Sequence, residues 1–150
     1  MLVDEALERT EGATQELRDL VHGILPAVLA KGGLRAAVQA LSRRMPLPVA
    51  VDVPSTRLPA DIEATAYFVV AEGLTNVVKH ADAGSAAVSA SILDHRLDIE
   101  LRDDGVGGAR GDGGGLVELE DRLAVHDGQL RVDSPPGRGT LLSASIPLPE

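Results

Sequence analysis

The order of apolar patterns along this chain predicts an α/β fold, a two-layer α/β sandwich in which one mixed sheet carries helices on a single face. Three observations lead there. SAAVSASILD and RLDIELRD alternate like paired strands on either side of His95, and QLRVDS and TLLSASIPL form a second pair around the turn-rich PPGRG. Runs with helical spacing fill the chain before and between those hairpins. No internal repeat offers a different architecture, and 150 residues are enough for one core that buries about 68–70% of the unfolded surface.

Taken in order, residues 5 to about 31 have Leu17, Leu20, Val21, Ile24, Leu25, Val28 and Leu29 on one helical face. Pro26 interrupts that face, so one helix is expected to end near Gly23 and a short one to begin near Pro26. Asp4 to Gln15 has little to pack on and reads as the stub of a longer partner helix. Lys31-Gly32-Gly33 ends the segment. GLRAAVQALSRRM then turns Leu34, Ala37, Val38 and Leu41 inward, and Pro46 and Pro48 close it. VAVDV alternates as a strand. A long helix is expected from about Pro59, with Asp61 and Glu63 at the positive end of its dipole. A last helix, LVELEDRLAVHD, separates the two hairpins.

Composition excludes several roles. The chain has no cysteine, which rules out disulfides, thiolate metal sites and cysteine nucleophiles and fits a reducing cytoplasm. Its opening is acidic, and no apolar run approaches the length of a membrane helix, so neither a signal peptide nor membrane contact is expected. The net charge of −9 opposes nucleic acid and acidic lipid, and Tyr67 and Phe68 are the only residues counted as aromatic that could stack on a base. A polyphosphate ligand would need a divalent cation and local donors against that field.

Two stretches carry chemistry. Seven of the eleven residues from Gly105 to Gly115 are glycine, between the strand that ends in Asp103-Asp104 and the helix from Leu116. Glycine lets a ligand approach backbone N–H groups, and a loop feeding a helix can aim them at an anion. A flexible tether is the plainer reading, but tethers are usually serine-rich and have no carboxylates at their root. The loop is not a P-loop, because neither lysine is followed by Ser or Thr, and a dinucleotide fingerprint meets Arg110 or Glu118 where its third glycine belongs. The second stretch is PADIEATAYFVVAEGLTNVVKHA. There Glu72, Asn76 and Lys79 or His80 recur at i, i+4 and i+7 or i+8 on one stripe, which is either a solvated face or a set for cation and phosphate work. The other histidines form no helical pair, so a zinc site is not expected.

Three separated stretches in a fixed order resemble the ATP-binding domain of bacterial sensor histidine kinases, within the GHKL or Bergerat-fold ATPases. AEGLTNVVKHA looks like the N box, DDGVGG like the first glycine box and GGGLVELEDR like the second. SPPGRGTLLSASIPL is similar to the closing hairpin. ELRDLVHGILPAVLAKGGL and KHADAG resemble the subgroup that pairs with response regulators of the NarL type. The resemblance implies ATP and Mg2+ as ligands, with Asn76 coordinating magnesium and Glu72 orienting the attacking group or a water. It implies Lys79 and His80 beside the phosphates and Asp103 accepting from the adenine amino group. Gly105 and Gly107 would admit the purine, Gly113, Gly114 and Gly115 would form a lid leading into Leu116, and Thr140 would lie near the base. Glu118 stands where the family commonly has glycine.

The resemblance further implies two units. Residues 1–31 would be the end of a dimerisation helix with a connecting short helix, and residues 32–150 the ATP-binding catalytic domain. Its partners would be the phosphoacceptor segment of the same kinase, expected upstream of this sequence, and a response regulator. His22, followed by Gly23, lacks the acidic neighbour of a phosphoacceptor. The chain alone is therefore expected to be a fragment that binds ATP without phosphorylating itself. The alternative is a nucleotide-binding interaction module of the same fold, such as an anti-sigma regulator.

Overall fold

A computed structural model describes residues 26–108 and 114–149, without the side chains of His80 and Ala81. The expected helix ending near Gly23 lies outside the described residues. Among those described, no helix is long and apolar enough to cross a membrane.

A helical span, α1 (Ala27–Ser42), follows Pro26 and is interrupted at Gly33, where φ is 80° and ψ −173°. The break expected at Lys31-Gly32-Gly33 is thus present, at the residue that most easily adopts that backbone. Leu34, Ala37, Val38 and Leu41 are buried beyond it, the face the spacing gives. Strand β1 (Val49–Asp52) leads to helix α2 (Ala60–Asn76), which begins after Pro59. The expected single helix does not stay α-helical to its end: Val77–Ala81 is a π-helical turn, closed by Asp82 at a φ of 48°. Such a widening often marks a functional position. One turn earlier, buried Thr75 donates to the Ala71 carbonyl oxygen at 2.6 Å, a side-chain bond of the kind that bends helices.

Strands β2 (Ala86–Leu93) and β3 (Arg96–Asp103) form the first hairpin. Asp94 and His95 turn it, both with positive φ, as a two-residue turn matched to strand twist requires. Helix α3 (Gly114–Ala124) stops short of the expected Asp127. Asp127 takes a φ of 57° and the Gly128 N–H reaches back to the Leu123 carbonyl at 2.7 Å, a Schellman-type ending. Strands β4 (Gln129–Asp133) and β5 (Thr140–Pro147) form the second hairpin.

The sheet order is β1-β2-β3-β5-β4, with β1 parallel to β2 and every other pair antiparallel. The mixed sheet of the expected sandwich is therefore present. Leu97, Ile99 and Leu101 of β3 are buried with Leu142, Ala144 and Ile146 of β5 beneath α2, while Arg96, Asp98, Glu100 and Arg102 occupy the bare face. Tyr67, Leu74 and Leu123 complete the layer between sheet and helices. The alternation that made the strands legible also decides which end of β3 serves the site, because Asp103 follows Leu101 on the helix-covered side.

Candidate functional site

The end of β3 gathers one group of the expected residues. Half-buried Asp103 accepts the Gly105 N–H on Oδ1 at 2.8 Å, and its Oδ2 has no hydrogen bond among the described residues. Thr140 is its register partner on β5, and the Thr140 hydroxyl lies 2.6 Å from that of Ser134. Neighbouring Asp104 is exposed and structural. Its carboxylate accepts the N–H groups of Gly84 and Ser85 at 2.8 and 3.0 Å and the Ser85 hydroxyl at 3.0 Å. Those bonds hold its pKa below the ordinary carboxylate value, the Ser85 backbone contributing most. Asp104 thereby ties the segment after the π turn to the root of the glycine loop.

The second hairpin straps that loop down. The Gly108 N–H donates to the Ser134 carbonyl at 2.8 Å, and the Gly137 N–H donates to the Val106 carbonyl at 2.6 Å. Gly107, at a φ of 67°, has no room for a Cβ against the Pro135 carbonyl oxygen, and Gly139 has none against that of Asp103. The family resemblance assigns Gly107 to purine approach. Close backbone packing against the hairpin turn is an independent requirement for glycine there.

The second group lies on α2. Glu72 and Asn76 are partly buried and one turn apart, and Lys79 in the π turn is exposed. The Glu72 carboxyl titrates above its ordinary value, first because it is buried, then because Glu118 repels its charge, with Lys79 opposing both. Of the polar stripe, Glu72 and Asn76 are thus partly withdrawn from solvent, whereas Lys79 is not. Two contacts align α3 and the turn after it against α2: the Arg122 guanidinium sits 3.8 Å from the Phe68 ring centroid, and His126 Nδ1, just past the helix, lies 3.9 Å from Asp61 Oδ2. One turn from that stack, Glu118 comes opposite Glu72. Gly73, adjacent to Glu72, sits directly on Leu101 and Leu142, which links this group to the strands bearing Asp103 and Thr140.

Of the remaining expected residues, Gly114 and Gly115 open α3 and Leu116 is buried beneath it, whereas Gly113 and the His80 side chain lie outside the described residues. Among the described residues, no three His, Cys, Asp or Glu side chains converge as a metal site. An open groove of about 630 Å3 runs over the bare face of the sheet, lined by residues including Ser91, Asp98, Arg131 and Ser145, away from all of these positions.

Sequence reasoning missed the Arg57–Glu63 pair. Glu63, expected only as a first-turn charge, is 2% exposed and is held by Arg57, whose Nε lies 3.2 Å from Oε2. Its place between buried Ile62 and the apolar turn above was the available signal, but nothing local identified its partner.

Comparison with known proteins gives the site its context. No family model matches the chain. It is 31% identical over 160 residues to sensor histidine kinase MctS of Rhizobium johnstonii, a match covering 98% of this chain and 34% of MctS. It is 29% identical to the oxygen sensor histidine kinase NreB of Staphylococcus carnosus, covering 98% of this chain and 46% of NreB. The histidine kinase domain of an Erythrobacter litoralis blue-light activated kinase shares the fold, with a TM-score of 0.65 at 22% identity over 77% of this chain and 65% of that domain. The chain spans less than half the length of either curated relative. The likeness carried by the boxes is borne out: relatives along nearly the whole chain are sensor histidine kinases.

Proposed function

We propose that this chain, a relative of the sensor histidine kinases, is the part of such a kinase that binds ATP and presents the γ-phosphate to a phosphoacceptor histidine, for onward transfer to a response regulator. The supporting observation is Asp103, a half-buried carboxylate on the helix-covered side of the sheet with one oxygen fixed by Gly105 and the other uncommitted among the described residues. A carboxylate so placed accepts from an exocyclic amine, the group that distinguishes adenine. Thr140 lies beside it to border the base, and Gly105 and Gly107 keep side chains out of the ring's path.

The phosphates then lie toward α2 and the start of α3. Lys79 supplies positive charge, the resemblance assigns His80 a place beside the phosphates and Gly113 one in the lid, and the N–H groups at the start of α3, from Gly114 to Leu116, are the backbone donors for the anion. Magnesium would be held through the Asn76 amide oxygen, a hard ligand, and would supply charge neutralisation at the phosphates. Glu72, its proton affinity raised by burial and Glu118, orients the attacking group or a water. In phosphoryl transfer the protein mainly positions groups and screens charge, so the acceptor can belong to another segment.

In this reading residues 1–31 are the end of a dimerisation helix and its connection, and 32–150 the catalytic domain. The regulator is of the NarL type and the site works in the cytoplasm. Incubation of the chain with γ-labelled ATP is expected to leave it unlabelled, and adding the kinase's phosphoacceptor helices to place label on a histidine outside this sequence. Acid-labile phosphate on His22 of the chain alone would contradict it.

A further inference from the structure

Helix α1 is kinked at Gly33, whose backbone departs from helical values. In an unbroken helix the Ala30 and Lys31 oxygens would accept from the N–H groups of Leu34 and Arg35. Here they are taken by one side chain from the loop before α2: Arg57 donates from one terminal nitrogen to the Ala30 oxygen at 3.1 Å and from the other to the Lys31 oxygen at 3.3 Å. The same guanidinium makes two bonds of 3.2 Å to the buried Glu63 carboxylate on α2. Gly33 is the floor of this cluster, since a Cβ there would lie 2.7 Å from Arg57 Cδ and Nε and 3.0 Å from Glu63 Oε2.

We infer that Arg57 is a positioning residue, the joint that fixes the direction in which residues 27–32 leave the sheet-and-helix unit. Its planar fork bridges the broken helix end and α2 in a way that only the kinked backbone permits. Straightening α1 through Gly33 returns both carbonyls to the helix and withdraws them from the guanidinium, so the segment has two hydrogen-bonded arrangements with different exit directions. In a kinase this sets how upstream helices present an acceptor to the nucleotide. That use rests on the function proposed above, whereas the joint itself does not.

A competing role for Arg57 is simply to neutralise Glu63, and two variants of the full chain separate the two. Arg57→Lys keeps a cation beside Glu63 but lacks the fork that spans two carbonyls and a carboxylate. Arg57→Met with Glu63→Gln removes both charges and avoids a buried unpaired carboxylate. Hydrogen exchange followed by mass spectrometry is expected to show amides 27–33 exchanging about tenfold faster in both variants, the loss of hydrogen bonds at the clamp. Exchange in Ile62–Leu74 should stay as in the parent, and Glu63→Gln alone should leave 27–33 protected. Unchanged exchange at 27–33, or equal acceleration throughout α2, would overturn the joint. ATP binding measured on the same samples is a separate readout: its absence from the parent chain would remove the proposed function, and the exchange result would still decide the joint.

Discussion

Gly107→Ala and Gly108→Ala alter adjacent residues of the same loop with backbones of the same hand, at φ of 67° and 77°, yet should differ sharply. A left-handed conformation costs a residue with a Cβ about 1–2 kcal/mol, and that is the expectation for Gly108, which among the described residues has nothing within 4 Å of its Cβ position. At Gly107 the new methyl meets the Pro135 carbonyl oxygen inside van der Waals contact, so the loop must lift from the hairpin turn. Lifting strains the bonds from Gly108 N–H to Ser134 and from Gly137 N–H to Val106. Each is worth about 1 kcal/mol, so Gly107→Ala should cost about 3–4 kcal/mol in total, roughly 2 more than its neighbour. Urea unfolding of the parent and both variants measures this directly. Equal losses, or a larger loss at Gly108, would refute the strap between the glycine loop and the second hairpin.

Three further outcomes follow from the electrostatics. The Asp104 carboxyl has a folded pKa below 3.8, so its stabilising contribution is complete above that value and lost as pH falls through the folded pKa; Asp104→Ala should flatten this acid limb in urea titrations, while Asp104→Asn keeps acceptors for Gly84 and Ser85 and should preserve the loop at neutral pH. Glu72 is shifted the other way. Its folded form holds a proton above 4.5, so its burial begins to cost stability as pH rises from there through the folded value; Glu118→Gln should lower the Glu72 pKa in carboxyl NMR titrations and stabilise the chain at neutral pH but not below 4.5. Arg122→Leu should cost about 0.5–1 kcal/mol, a loss that largely disappears when Phe68→Leu is already present, as a double-mutant cycle would show.

The sheet was legible because its signal is local. Period-two alternation on either side of His95 marked both strands of the first hairpin, and Pro26 and the Lys31-Gly32-Gly33 run marked helix boundaries through backbone preferences that do not depend on the rest of the fold. The candidate site was proposed from a resemblance, since Asp103, Glu72 and Asn76 fall in stretches similar to the family's boxes, whereas the spacing of the Glu72 stripe alone left a solvated face equally open. What stayed hidden depends on distant partners. The requirement for glycine at 107 comes from the Pro135 carbonyl, the burial of Glu63 from Arg57, and the fixed position of Asp104 from Gly84 and Ser85. The π turn at Val77–Ala81 has no propensity signal, because the same residues are good neighbours in an ordinary helix.

Calorimetry of adenine nucleotide binding tests the central assignment. The chain is expected to bind ATP with magnesium and to bind it much more weakly in EDTA. Asp103→Asn should weaken Mg-ATP by about 1–3 kcal/mol, the cost of a mismatched hydrogen-bonding group, and Asp104→Asn should change it little. Equal binding by the two variants, or equal binding with and without magnesium, would contradict an adenine acceptor at Asp103 or a cation at Asn76.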